Sequence, residues 1–169
     1  MIESRILTVD EISNIMSFQI HVISNMERKE FFMMTGDDKE IKSLINKGIV
    51  LAAFDNNEMI GYASLCWCDI WLSGFLKKYE TKLNLNSSDI IGEFGYMTKQ
   101  EYQGRGITSN LVKQIIEINK KENYVNILMA YVHPENFASI NILSKNGLQK
   151  VDSIVMNSGH ERDVLIKKI

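Results

Sequence analysis

Gly92–Glu117 reads GEFGYMTKQEYQGRGITSNLVKQIIE and holds a strand, a glycine-bearing turn and an amphipathic helix in one run. Glu93 to Thr98 is short, aromatic and partly alternating, the pattern of a strand. Gln103-Gly104-Arg105-Gly106 supplies the turn. From Ile107 onward, Leu111, Val112, Ile115, Ile116 and Ile118 recur mostly at three- and four-residue steps, which builds one apolar helix face. A helix opening out of a glycine turn presents unpaired backbone N–H groups and the positive end of its dipole. Glycine also lets a ligand come close to the backbone. The stretch therefore suits a phosphate or pyrophosphate.

The surrounding chain has 169 residues, enough for one domain with a proper core, and 1–169 is read as a single domain with no internal repeat, linker or low-complexity tract. Hydrophobic residues make up 45% and charged residues 24%, an ordinary balance for a globular protein. A net charge of −2 leaves no basic footprint for nucleic acid. No apolar run approaches a membrane span, and the start, MIESRILTVDEIS, lacks the apolar core of a signal peptide, so a cytoplasmic location is expected. Cys66 and Cys68 flank Trp67; on a strand they point to opposite faces, and two ligands do not make a zinc site. They are read as structural thiols, with no metal.

Working outward, Ile2 to Val9 reads as a strand, and Asp10 as the cap of a helix carrying Ile12, Ile15, Met16, Ile20 and Ile23 on one face. Met26 to Thr35 fits either a helix or a loop covering a pocket. Asp38 to Lys47 reads as a short helix stopped by Gly48. Ile49–Phe54 and Met59–Trp67 form a hairpin across Asp55-Asn56-Asn57-Glu58. Cys68 to Asp89 is either a long excursion or a longer strand followed by a short helix. Tyr124–Val132 is a strand, Asn136–Lys145 a helix ended by Asn146-Gly147, and Leu148–Met156 and Asp163–Ile169 two closing strands. Only Gly92–Val132 demands a parallel crossover. The fold class is mixed α/β.

The turn and the order of elements resemble the GNAT superfamily of acetyl-CoA-dependent N-acetyltransferases. The family signature (Arg or Gln, two residues, Gly, one residue, Gly or Ala) reads here as Gln103, Gly104, Arg105, Gly106, Ile107, Thr108, with Thr108 the one departure. A second match, ENFASINILSKNGLQKV, resembles the family's Asn-containing segment, with Asn136 at the Asn, Ser139 and Ile140 at the helix start and Gly147-Leu148 at its close. EFGYMTKQEYQGRGI looks closest to the branch containing ribosomal-protein N-terminal acetyltransferases.

The resemblance implies a mostly antiparallel sheet of six or seven strands, a central splayed parallel pair and about four flanking helices. It implies acetyl-CoA as cosubstrate, with Gln103, Gly104, Arg105, Gly106, Ile107, Thr108 and Ser109 around the pyrophosphate. Backbone at Tyr96, Met97 and Thr98 would meet the pantetheine arm and the thioester carbonyl, and Asn136 and Ser139 would lie beside that arm. The family's frequent Tyr acid would fall at Leu143. Glu93 is the candidate amine base; the alternative is a surface carboxylate at a strand end. Tyr96 and Tyr131 are candidate acids, with Ser144 a weaker one, and His133 a relay or a turn residue. Phe31, Phe32, Met33, Met34, Trp67, Trp71, Phe75 and Tyr79 are candidates for an acceptor wall or for core.

The expected activity is direct transfer of acetyl to a primary amine on a small molecule or peptide, without a covalent intermediate. Dimers are common in the family it resembles. Two other classes are a non-catalytic acetyl-CoA-binding module, favoured by the missing Tyr, and a dinucleotide-binding protein, disfavoured by Ser109 where a third glycine would fall.

Overall fold

The computed structural model describes residues 2–33, 38–67, 77–81, 83–86 and 88–169. Seven strands form one sheet in the order β1-β2-β3-β4-β5-β7-β6. They are β1 Ile2–Ile6, β2 Gly48–Asp55, β3 Glu58–Cys66, β4 Ile91–Thr98, β5 Ile127–Val132, β6 Gln149–Val155 and β7 Glu161–Lys168. Every neighbouring pair is antiparallel except β4 and β5. Among the described residues the sheet is flanked by helices α1 Ile12–Ser24, α2 Asp38–Asn46, α3 Ile107–Glu122 and α4 Phe137–Lys145. The crossover from β4 to β5 runs through α3, as a parallel pair requires.

Alternation along β2 separates the two faces of the sheet. Ile49, Leu51 and Ala53 pack with Ile107, Leu111, Ile115 and Leu143 under α3 and α4. Val50 and Ala52 pack with Ile15, Phe18, Val22, Ile41 and Leu44 under α1 and α2. The sheet is covered on both sides, which explains why β2 reads as a continuous apolar run. The α3–β5 connection is fastened by a buried amide: Asn119 donates to the Val125 carbonyl and accepts from its N–H, both at 3.0 Å.

Some local readings change. β1 stops at Ile6, and Val9–Glu11 is a 3-10 turn preceded by Thr8, so Asp10 lies inside that turn instead of capping α1. Glu11 supplies the carboxylate that accepts from the Thr8 N–H (3.1 Å) and binds Arg5 (2.7 Å). On α1, Ile20 is 56% exposed, and Gln19 takes an inward position instead. Gly48 is the first residue of β2 and not a left-handed helix stop. A Cβ there would sit 2.2 Å from the Leu44 carbonyl oxygen, so the glycine lets the strand pass close under α2. The β2–β3 turn has Asn56 and Asn57 at φ 49° and 66°, the two left-handed residues that a tight hairpin needs. Of the Cys68–Asp89 reading, residues 68–76, 82 and 87 lie outside the described residues, as do Met34, Trp71 and Phe75, while residues 77–81 are helical. Among the described residues no helix is long and apolar enough to cross a membrane.

Candidate active site

β4 and β5 pair only through Ile91↔Ile127, Gly92↔Leu128 and Glu93↔Met129. Beyond that point β4 continues to Thr98 against β3 alone, and β5 continues to Val132 against β7 alone. The strands part, and the inner edges of Phe94–Thr98 and Ala130–Val132 face the gap without a sheet partner. A cleft of about 1180 Å³ runs through this opening. It is lined on β4 by Glu93 through Thr98 and on the following turn and helix by Gln103, Gly104, Gly106, Ile107, Thr108 and Ser109. Asn136 and Ser139 line it from the start of α4. Twelve of the thirteen expected site residues are therefore brought together. Arg105 is the exception: it is exposed and lies over the Tyr102 ring, 5.0 Å from its centre.

The turn is built as a cradle. Gly104 and Gly106 have φ of +74° and +77°, and no heavy atom lies within 4 Å of where their Cβ atoms would stand. Gly106 is the N-cap of the 16-residue helix α3. The amides of Ile107, Thr108 and Ser109 in its first turn have no intrahelical acceptor, and the helix dipole points its positive end at the cleft. An open shell of left-handed glycines in front of free amides fits a pyrophosphate.

Thr108 has its own explanation. Its hydroxyl lies 2.6 Å from the Thr98 hydroxyl, tying the first turn of α3 to the end of β4. Room for the pair comes from Gly61 on β3, where a Cβ would stand 2.9 Å from Thr98 Oγ1. Thr98 is buried, so Thr108→Val leaves a hydroxyl short of its partner at a cost of about 1–2 kcal/mol. The expected result is a melting temperature lower by several degrees in calorimetry, and looser acetyl-CoA binding as the first turn loses its anchor.

The two faces of the opening differ in chemistry. Phe94 and Tyr96 lie on the side of α3 and α4. Glu93 and Met97 alternate to the other side, where Met97 packs among the α1 and α2 residues. Glu93 is half-buried, and no hydrogen bond or ion pair reaches its carboxylate among the described residues. Burial raises its pKa from the ordinary 4.5 to about 7. The nearby Tyr131 is pushed to about 12, by burial first and by the Glu93 charge second. Tyr96 points its hydroxyl at the Ser139 carbonyl on α4 (3.4 Å), and burial raises it to about 12. Asn136 caps α4, accepting from the Ser139 N–H at 3.2 Å. Leu143 is fully buried in the core, so no acid stands at that position. Ser144 is exposed, and His133 accepts from the Glu135 N–H (3.2 Å), the bond of a turn residue.

Of the aromatic and methionine candidates, Phe31, Phe32 and Met33 line the cleft. Trp67 instead stacks on Tyr124 at 4.8 Å. Tyr79 is core, with its hydroxyl donating to Asp152 at 2.7 Å. Lining residues that the sequence does not single out include Tyr62, Ser64 and Arg162. The first two sit in a hairpin read only for its strands and turn. Arg162 was a charged residue just outside a predicted strand, and that was the one available signal.

A family model for an acetyltransferase (GNAT) domain matches residues 9–149. No curated protein sequence matches the chain. Among solved structures, an acetyltransferase of the GNAT family from Streptococcus pneumoniae is similar at 16% identity, with 100% of this chain and 99% of that one covered and a TM-score of 0.75. A ribosomal-protein-alanine N-acetyltransferase from Brucella melitensis is similar at 18% identity, with 99% of each chain covered and a TM-score of 0.71. A chain of the NatC complex bound to Gag peptide and CoA is similar at 15% identity, covering 99% of this chain and 98% of that one, with a TM-score of 0.74. At such identities the structures share the fold.

Proposed function

The chain belongs to the GNAT acetyltransferase family, and from that premise we propose that it moves an acetyl group from acetyl-CoA to a primary amine, small molecule or peptide, by direct attack. The observation that carries the reading is the parting of β4 from β5 after Glu93 and Met129. It leaves a cleft through the sheet with a phosphate cradle at the glycine turn and, on the opposite face, a carboxylate that has no partner among the described residues. The residues fit the coenzyme. The amides of Gly104 to Ser109 hold the pyrophosphate, with Gln103 and Arg105 at the rim. The unpaired edge of Tyr96, Met97 and Thr98 bonds the pantetheine arm, and Asn136 and Ser139 close on it from α4. Bound there, the coenzyme supplies an activated acyl carbon.

Glu93 takes the proton that the amine gives up, directly or through water. A backbone amide of β4 near Tyr96–Met97 donates to the thioester oxygen as its charge grows. The C–N bond forms as the C–S bond breaks, and the leaving sulfur takes a proton. Tyr96 is the donor best placed for this, since its hydroxyl lies on the coenzyme's side and stays protonated at neutral pH. Tyr96→Phe is expected to lower kcat by about tenfold or more with acetyl-CoA affinity kept. Single-turnover kinetics with a calorimetric titration check this, and equal kcat removes Tyr96 from the mechanism.

Among acyl acceptors, the fold neighbours that act on or bind peptides favour a protein or peptide amine, in keeping with the ribosomal-protein acetyltransferase branch. The deciding experiment is coenzyme release with acetyl-CoA and a panel of amines that includes peptide N-termini, polyamines, aminoglycosides and free amino acids. Acceptor-dependent release is the expected result. The buried Leu143 favours a second reading, a module that binds acetyl-CoA without transferring. Tight binding with no release for any amine would establish that instead.

A further inference from the structure

Arg162 on β7 is a buried cation with no carboxylate paired to it among the described residues. It is 2% exposed, yet its hydrogen bonds go to main-chain carbonyls: Nη1 to Glu161 O at 2.8 Å and Nη2 to Glu30 O at 2.6 Å. Among the described residues no carboxylate lies within ion-pair distance of it. Glu30 contributes only a longer-range attraction, and its carboxylate is taken up by Arg28. Arg28 in turn also holds Glu135. Arg162 lines the cleft and shares the sheet face of Val164 and Ile166. That is the face of Glu93, where the acceptor enters.

The bond to Glu30 O makes Arg162 a strut for residues 28–31, and a strut leaves the charge unexplained. A neutral donor would serve as well, and a guanidinium sequestered without a counter-charge is costly. A guanidinium that lines a cleft and spends two of its five N–H groups on carbonyls has others left to bind a carboxylate. Register gives the spacing. Glu93 is level with Met129, and Met129 with Ile166, so Arg162 lies four residues further toward the open end. At strand dimensions that is about 13 Å along the sheet and about 10 Å across two strands. A single amino acid is too short to reach both groups, whereas a few residues of extended chain, at about 3.4 Å each, are long enough.

We propose that Arg162 reads an acidic side chain of the acceptor, which is therefore a peptide N-terminus with an Asp or Glu within its first few residues. This rests on the acceptor side assigned in the preceding subsection. The test uses hexapeptides with a free Ala N-terminus and one Asp scanned through positions two to six of a Gly/Ser background, each beside its Asn twin. Two quantities are read: affinity for the protein loaded with coenzyme A, and kcat/KM with acetyl-CoA. The expected result is an Asp-over-Asn preference of about tenfold or more at one or two adjacent positions. It should shrink at high salt and fall to about one in Arg162→Met, with Arg162→Lys between. The acetyl-CoA thermal shift serves as the control for folding. If Arg162→Met weakens Asp and Asn peptides alike, or the native protein binds the twins equally, Arg162 is a strut and the inference is wrong. Asp-selective binding without turnover would instead keep the inference and refute the transfer reading.

Discussion

Replacing Glu93 with Gln is expected to lower kcat by about 10²–10³-fold while acetyl-CoA affinity stays within about twofold, because the carboxylate serves the amine and not the coenzyme. The argument is one of placement and pKa. Glu93 is the last β4 residue paired to β5 and stands where the two strands begin to part. Burial brings its carboxyl to about 7, from 4.5 in water. A base near 7 matches an α-amino group, whose pKa is about 7.7–8.0, far better than an ordinary carboxylate does. In the native protein log kcat should rise with pH to an inflection near 7 and then level off. The Gln variant should lose that inflection. An unchanged profile and rate would remove Glu93 from the chemistry.

The same substitution carries a stability signature that a surface carboxylate would not give. Glu93 has a folded pKa above its unfolded value, so the native state binds its proton more tightly. Stability is then greatest below about 4.5 and declines as pH rises through about 7. The full decline is worth up to about 3 kcal/mol. Glu93→Gln should therefore gain little at pH 4 and up to that amount at pH 8, where the melting temperature would rise by several degrees. A variant slower in catalysis but steadier at alkaline pH is what a strained active-site base predicts. Equal melting temperatures at both pH values would mean that the carboxylate is solvated.

Much of this site was legible because its signals are local. Strand, turn and helix lie within Gly92–Glu117, where periodicity and glycine spacing suffice. The readings that changed depended on contacts between distant segments. Thr108 looked like an intrusion until its hydroxyl met Thr98 in the room left by Gly61, 37 residues before Thr98. Gly48 looked like a helix stop, but its constraint is the Leu44 carbonyl above the first residue of a strand. Ile20 fitted the helical period, yet the neighbouring Gln19 is inward, bonded to Tyr62 at 2.8 Å. Arg162 bonds a carbonyl 132 residues away, and no window of sequence carries that information. The elevated pKa of Glu93 likewise follows from burial, which spacing along the chain does not determine.

Gly106→Val is expected to weaken acetyl-CoA binding by about 10²-fold or more, through two effects that a matched control separates. The first is backbone strain. Gly106 holds φ at +77°, and a β-branched residue there costs about 1–3 kcal/mol or turns the peptide away, taking the first-turn amides of α3 out of aim. The second is occupancy. With no protein atom within 4 Å of the new Cβ, the valine meets no resistance from the fold and stands in the volume where a pyrophosphate would lie. Gly159, in the turn joining β6 and β7, supplies the control: its φ is +82° and its surroundings are equally open, but it does not line the cleft. Gly159→Val should cost comparable stability in the unliganded protein and leave the acetyl-CoA-induced rise in melting temperature intact, while Gly106→Val should abolish that rise at ligand concentrations that saturate the native protein. Gly104→Val should behave like Gly106→Val, since its φ of +74° and open surroundings are the same. Retention of the rise in both cradle variants would mean that the coenzyme's phosphates sit elsewhere, and the turn would revert to an ordinary connection between a strand and a helix.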